Sequence, residues 1–366
     1  MLRRSPPPPR SPVVPRGWEA VVVLLLGVLL TALGVGVGLP YTVKAGWSLL
    51  AVAGLVALGL GLVLLALAVV GLARSVRGWW RLLVLPLAAS VALVLVYVLA
   101  VPLAVTTVPP TEAGRTPASV GLDHREVRLP TPDGVELAAS YVPSGNGAAV
   151  VLLHGSGSTS ASVVDHAAVL AAHGYGVLLL DARGHGDSGG RAMDWGWYGE
   201  EDVAGAVTFL AAQPDVEPDR IAAVGLSMGG EEALGAAGTD SRVRAVVAEG
   251  ATGRGAFDLG WLSEAYGWRG TVTQDVHRVQ TWLVGLLSGA EPPTALRDAV
   301  AAAGPVLLIA AGEVPDEQHA AEALRQAAPD HLEVWVVRGS SHTGGLRTAP
   351  EEWAATVVGF LDAALS

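Results

Sequence analysis

The sequence predicts an α/β domain, with a mostly parallel sheet covered by helices on both faces, preceded by three transmembrane helices. After residue 122, short apolar runs alternate with segments of helical length, which is typical of such a sheet. Three long charge-free runs fill most of the first 111 residues. Glycine-containing turns with chemically active side chains follow several of the predicted strands, at the edge where such sheets bind ligands.

The charge-free runs cover residues 20–43, 45–73 and 82–111, and each could cross about 30 Å of hydrocarbon as a helix. The first run is longer than a secretory signal requires, and two further runs follow it, which favours a retained span. The predicted organisation has four parts: a disordered Pro/Arg-rich tail (1–17), the transmembrane region (18–105), a proline-containing linker (106–121) and the α/β domain (122–366).

Charge is divided unevenly along the chain. Residues 1–107 carry eight Lys/Arg and one acid, whereas the remainder carries 15 basic and 33 acidic residues and has a net charge of −18. This acidity argues against nucleic-acid binding. The basic residues near the spans lie before the first span (Arg3, Arg4, Arg10, Arg16), after it (Lys44) and between the second and third (Arg74, Arg77, Arg81). The positive-inside rule therefore predicts a multi-pass plasma-membrane protein with a cytoplasmic N-terminus and an extracytoplasmic α/β domain.

The most informative motif is Gly225-Leu226-Ser227-Met228-Gly229, which follows the apolar run Ile221–Val224 and precedes a helical segment. A G-x-S-x-G turn in this setting exposes its serine on a sharp strand-to-helix elbow. The helix N-terminus there favours a developing negative charge. Ser227 is therefore the candidate nucleophile.

Three further motifs accompany this elbow in a fixed order. His154-Gly155 follows one predicted strand, Asp181-x-Arg183-Gly184-x-Gly186-x-Ser188 follows the next, and Ser341-His342 comes after the last. With these motifs, residues 120–366 resemble the α/β-hydrolase superfamily, and are most similar to its esterase, dienelactone-hydrolase and proline-aminopeptidase types. The resemblance implies a serine hydrolase that needs no metal or organic cofactor.

A serine hydroxyl needs a base to remove its proton, and His342 completes the order of serine, acid and histidine expected of this fold. His154 and His185 lie in loops that resemble structural turns of the family. The acid should follow the penultimate strand, where the sequence is Ala311-Gly312-Glu313-Val314-Pro315-Asp316-Glu317. Asp316 is the first candidate, Glu313 the second and Glu249 the third, because some relatives take the acid from the preceding strand.

The oxyanion hole is inherited from the resemblance as two backbone N–H groups, those of Ser156 and Met228. Residues 252–300 are predicted to form a lid insert, whose aromatic side chains either line an acyl pocket or pack the insert onto the sheet. The candidate pocket residues are His154, Trp195, Trp261 and Trp268.

Other chemistries are excluded or disfavoured. The chain has no cysteine, which removes thiol nucleophiles and cysteine metal sites; no metal site is predicted. The predicted function is a membrane-anchored serine hydrolase that cleaves an ester, thioester or amide of a small-molecule or lipid-like acyl substrate. The alternatives are a non-catalytic binding module of the same fold, and an acyltransferase or peptidase that uses the same three residues.

Overall fold

The computed structural model describes residues 15, 17–111 and 114–366. The chain forms two compact units, Met1–Leu103 and Ala104–Ser366. Apart from Pro15 and Gly17, the predicted tail lies outside the described residues.

The first unit consists of long apolar helices. Its helical segments are α1 (Trp18–Leu33), a π-helical stretch (Gly34–Gly38), α2 (Leu39–Lys44), α3 (Leu49–Ser75), a 3-10 turn (Gly78–Trp80) and α4 (Arg81–Thr106), whose last residues belong to the second unit. They make three continuous candidate spans of 27, 27 and 29 residues with mean hydropathies of 2.8, 2.9 and 2.7, enough to cross a bilayer. The prediction of three long apolar helices is confirmed, while their orientation stays a prediction.

Glycines allow the first two candidate spans to approach closely. A Cβ added at Gly38 would lie 2.6 Å from the backbone of Gly54, and one added at Gly34 would lie 2.4 Å from Leu58. Such small-residue contacts are typical of helix pairs in membranes, where dispersion contacts between backbones replace hydrophobic burial.

The second unit is built on one eight-stranded sheet in the order β1-β2-β4-β3-β5-β6-β7-β8. The strands are β1 (Arg125–Pro130), β2 (Glu136–Val142), β3 (Ala149–Leu153), β4 (Gly176–Leu180), β5 (Ile221–Leu226), β6 (Ala245–Glu249), β7 (Val306–Ala311) and β8 (Leu332–Val337). The β1–β2 and β2–β4 pairs are antiparallel and all other pairs are parallel. The predicted fold class is confirmed.

Helices cover both faces of this sheet. They are α5 (Val164–Ala172), α6 (Gly199–Ala211), α7 (Met228–Thr239), α8 (Trp261–Tyr266), α9 (Trp268–Ser288), α10 (Leu296–Ala302), α11 (Pro315–Ala327), α12 (Gly345–Thr348) and α13 (Pro350–Ala364). Alternate strand residues point to opposite faces, so Val151 and Leu153 pack with α6, α7, α10 and α11, whereas Val150 and Leu152 pack with α5 and α13. Because both faces are buried, the central strands are apolar throughout.

The predicted insert between β6 and β7 contains α8, α9 and the start of α10. Its first residues are held by a buried carboxylate: Glu231 on α7 accepts hydrogen bonds from the N–H groups of Thr252 and Gly253 at 2.9 and 2.7 Å. The helices that follow the parallel strands β5, β6 and β7 begin at the carboxyl edge of the sheet, around the residues described next.

Candidate active site

The turn between β5 and α7 is strained at its central residue. Ser227 has φ 53° and ψ −119°, a left-handed conformation that a non-glycine residue adopts only at a cost. The flanking glycines make this turn possible, since a Cβ at Gly225 would lie 2.2 Å from Gly229, and one at Gly229 would lie 2.6 Å from the carbonyl oxygen of His154. The elbow thus presents the Ser227 hydroxyl above the end of the strand.

His342 lies within hydrogen-bond distance of this hydroxyl, although 115 residues separate them in sequence. Its Nε2 is 3.0 Å from Ser227 Oγ, and Ser227 Oγ–H donates when the ring is neutral. His342 lies in the loop after β8, where Thr343 also has a positive φ of 49°. The imidazole is therefore placed to take the serine proton.

The carboxylate that orients His342 belongs to Glu317. His342 Nδ1–H donates to Glu317 Oε1 at 2.6 Å, and Glu317 Oε2 accepts the backbone N–H of Ala311 at 2.8 Å. The Glu317 side chain is only 1% exposed, whereas that of His342 is 51% exposed. The hydrogen bond to Glu317 raises the pKa of His342, and the negative charges of Glu231 and Glu249 act in the same direction, while burial opposes them.

The assignment of the acid to Asp316 is wrong in this structure. Asp316 points away from the histidine and accepts a hydrogen bond from the Tyr266 hydroxyl of α8 at 2.5 Å. Glu313 is exposed in the turn before α11. Glu249 is buried with other partners, the N–H of Gly345 at 2.7 Å and the indole N–H of Trp353 at 3.1 Å.

The two residues predicted to supply the oxyanion donors are Met228, directly after Ser227, and Ser156. Met228 is the first residue of α7, so its N–H is one of the helix-terminal donors without an intrahelical acceptor. Ser156 lies in the turn after β3 and lines the same cleft as Ser227. That both N–H groups stabilise an oxyanion stays a prediction.

His154 has a structural environment and does not line the Ser227 cleft. Its Nδ1–H donates to Gly155 O at 2.8 Å and its Nε2 accepts the N–H of Ala182 at 3.1 Å. Burial lowers the pKa of His154 to about 4, so the ring is neutral. The neighbouring His185 bonds Asp194 at 3.0 Å, and Asp194 accepts the N–H of Gly157 at 2.9 Å. These histidines fix the loop that carries Ser156, as the resemblance implied for structural turns.

Ser227 and His342 open into a cleft of about 730 Å³. Its walls come from the β3–α5 region, the end of β5 and the segment around α12. The lining residues are Gly155, Ser156, Ser158, Ser162, Asp165, His166, Leu226, Thr343, Leu346, Arg347 and Pro350. Among these, His166 is buried against Trp353, and neither of its ring nitrogens has a hydrogen-bond partner. Sequence reasoning missed this residue because no motif surrounds it. Within the described residues, no three His, Asp or Glu side chains converge as metal ligands would.

The predicted pocket tryptophans lie outside this cleft. Trp195 and Trp261 line a separate cavity of about 240 Å³ together with His277 and Asp316. Trp268 is 72% exposed on α9. The insert therefore contributes no lining residue to the cleft that holds Ser227.

Sheet order, elbow and helix placement together give the second unit the α/β-hydrolase fold. The family described as serine aminopeptidase S33 matches residues 145–276. A thiohydrolase, aneE of Aspergillus aculeatus, is 38% identical over 128 residues, which are 34% of this chain and 40% of that protein. An uncharacterized protein of Mycobacterium tuberculosis is 36% identical over 116 residues, 31% of this chain and 41% of that protein.

Among solved structures, the esterase Pf2001 of Pyrococcus furiosus matches with a TM-score of 0.55 and 23% identity, over 71% of this chain and 100% of that one. At this identity the likeness establishes the fold only. The chain spans about two fifths of the length of the curated relatives that it matches. The second unit thus has the α/β-hydrolase fold, is similar in fold to an esterase and in part of its sequence to a thiohydrolase, and is preceded by three long apolar helices.

Proposed function

We propose that this protein is a membrane-anchored serine hydrolase that cleaves an ester or thioester through an acyl-Ser227 intermediate. The observation that carries the proposal is the continuous hydrogen-bonded chain from the buried Glu317 through His342 to Ser227, at 2.6 and 3.0 Å. Nucleophile, base and orienting acid within hydrogen-bond reach are the signature of covalent catalysis by an activated serine.

The reaction follows from the geometry of these groups. Neutral His342 accepts the Ser227 proton at Nε2 as Oγ attacks the acyl carbon, and Glu317 stabilises the resulting imidazolium at Nδ1. The N–H groups of Ser156 and Met228 stabilise the oxyanion, and a donor of this kind is typically worth about 10²–10³ in turnover. His342 then protonates the leaving group, and water repeats the sequence to release the acid and regenerate Ser227.

The substrate class is supported by the relatives and by the cleft. One relative is named as a thiohydrolase and one solved structure with the same fold as an esterase. The cleft has serine hydroxyls and aliphatic walls and is open to solvent near the half-exposed His342. A carbonyl with an oxygen or sulfur leaving group is the simplest substrate for these groups.

Labelling with a fluorophosphonate probe tests this proposal in membranes that carry the full chain. Wild type should be labelled, Ser227→Ala and His342→Ala should not, and Ser162→Ala should retain labelling because it removes a different hydroxyl of the same cleft. If folded wild type stays unlabelled, the hydrolase proposal fails and a non-catalytic binding module of this fold takes its place. Nitrophenyl ester and acyl-thioester panels then separate the two leaving-group classes.

The membrane part of the proposal places the N-terminus in the cytoplasm and the catalytic unit outside. Three helices of sufficient length and hydropathy support anchoring, and the arginines between the second and third spans support this orientation. Because the chain has no cysteine, single cysteines report sidedness without background. In intact cells, an impermeant maleimide should label Gly46→Cys but not Arg77→Cys; the reverse pattern overturns the orientation.

A further inference from the structure

Helix α9 exposes a row of large apolar side chains. Five large apolar side chains on this helix are between 48% and 72% exposed: Trp268, Val272, Val279, Trp282 and Leu286. They are spaced by four, seven, three and four residues, which places them on one face of a helix. At 1.5 Å per residue this row is about 27 Å long. We call it the α9 stripe.

The α9 stripe is not the face by which the helix packs onto the domain. The opposite face carries Gly270, Gln280 and Val284, which are buried. Val284 packs in a small cluster with Met193 and Trp197, and Val105 lies against the same cluster. The helix therefore has a satisfied inner face and an apolar outer face, and an apolar outer face of this extent marks an interaction surface.

The C-terminal end of α9 adjoins the end of the third candidate span. The Arg191 guanidinium donates to the carbonyl oxygens of Thr106 at 3.0 Å and of Leu287 at 3.1 Å. Thr106 is the last residue of α4, and Leu287 is the penultimate residue of α9. The N–H of Asp194 also donates to Val105 O at 3.0 Å. These contacts lie within the second unit, so residues 105 and 106, the last two of α4, are fixed beside α9.

We propose that the α9 stripe lies on the lipid bilayer from which α4 emerges, so that α9 is an interfacial helix running along the membrane surface. The inference rests on the membrane anchoring proposed above. Trp268 at one end of the stripe and Trp282 near the other suit the headgroup region, and an apolar face on an otherwise polar helix is typical of helices that lie in this plane.

One acid lies within the stripe and limits how deeply the helix sits. Asp275 is on the same face and pairs with Arg278 at 2.5 Å. A paired charge is tolerated among hydrated headgroups but is costly in hydrocarbon. The helix is therefore expected at the level of the headgroups, with the tryptophan and leucine side chains reaching toward the acyl chains.

Site-directed spin labelling of the full chain tests this placement, with one copy in each lipid nanodisc. Nitroxides are attached to Trp282→Cys and Leu286→Cys, and to Ala355→Cys as the control, since Ala355 is exposed on α13, which packs against the sheet. Labels at 282 and 286 should collide several-fold more with oxygen, relative to a water-soluble nickel chelate, than the label at 355 does. A thermal unfolding transition close to that of wild type checks that each variant is folded.

Each other outcome overturns the proposal in a different way. Labels at 282 and 286 as accessible to nickel as the label at 355 mean that the stripe faces water. Labels shielded from both oxygen and nickel mean that protein covers the stripe, and the single copy per disc excludes a second chain. If alkaline carbonate strips the whole chain from the lipid, the anchoring fails; if the chain stays while the labels face water, only the inference about α9 fails.

Discussion

Replacing Glu317 by Gln removes one negative charge from a buried side chain that directly contacts the proposed base. The substitution keeps the shape of the side chain, and the adjacent Asp316→Asn supplies a matched control. Asp316 bonds Tyr266 rather than His342, so its loss should leave the catalytic groups in place. We expect Glu317→Gln to reduce kcat strongly and Asp316→Asn to change it by only a few fold.

The size of the effect can be worked from the geometry. A Glu317–His342 contact of 2.6 Å places the two charge centres about 4 Å apart, where unit charges attract by about 4 kcal/mol at an effective dielectric constant of about 20. At about 1.4 kcal/mol per tenfold, this corresponds to about 10³ in rate. Water around the half-exposed His342 makes the loss of rate smaller. The amide in Glu317→Gln could instead stabilise the wrong imidazole tautomer, which would increase the loss toward about 10⁴.

The pH profile separates orientation from simple misfolding. The bond to Glu317 raises the pKa of His342, and the base must be neutral to accept the serine proton. Removing the carboxylate lowers that pKa, so the acidic limb of the residual kcat profile should move to lower pH. Nitrophenyl ester hydrolysis and the rate of fluorophosphonate labelling would both be measured. Full activity in Glu317→Gln, or an inactive Asp316→Asn with unchanged folding, would refute the assignment.

Three further predictions concern stability, measured on the full chain in detergent. Arg254 is fully buried on Glu200 at 2.8 Å, so Arg254→Met should lower the free energy of unfolding by about 3 kcal/mol; an unchanged denaturation midpoint would contradict this. Gly229→Ala should abolish folding and labelling because of the clash at the elbow, whereas Gly359→Ala, with open space around the added Cβ, should be tolerated. Burial lowers the pKa values of His154 and His166 to about 4. Between about pH 6.5 and 4, the unfolded chain therefore binds more protons than the folded chain does. Stability should fall as pH decreases through that window, and His166→Leu should flatten the fall; an unchanged slope in denaturant titrations at pH 7 and 4.5 would exclude that contribution.

The fold could be predicted because its signals are local. The central strands are apolar at every position, and this pattern follows directly from burial on both faces of a parallel sheet. The elbow around Ser227 was equally visible, since both of its required glycines lie within five residues of sequence, although the close contact of Gly229 is with the carbonyl oxygen of His154. Long uncharged runs marked the three apolar helices in the same way.

The identity of the acid could not be predicted in this way because it depends on helix geometry. Asp316 and Glu317 are neighbours in the first turn of α11, and successive helix positions point about 100° apart. One therefore faces Tyr266 of the insert and the other faces His342. Acids at a helix N-terminus are expected on electrostatic grounds alone. The sequence pattern therefore did not distinguish Glu317, which contacts His342, from its neighbour Asp316.

The aromatic residues in the insert, together with Trp195, show that residue type alone does not locate a side chain. Trp195 and Trp261 enclose a small cavity of their own, whereas Trp268 belongs to an exposed row that continues through Trp282. Residue type alone assigns all of them equally well to a pocket. Their positions in the chain separate the two cases, because Trp195 and Trp261 lie outside α9, whereas Trp268 and Trp282 lie on α9 at a spacing that keeps both on its outer face. The cleft around Ser227 is therefore left to α5 and the segment around α12, and the aromatic outer face of the insert is free to contact lipid.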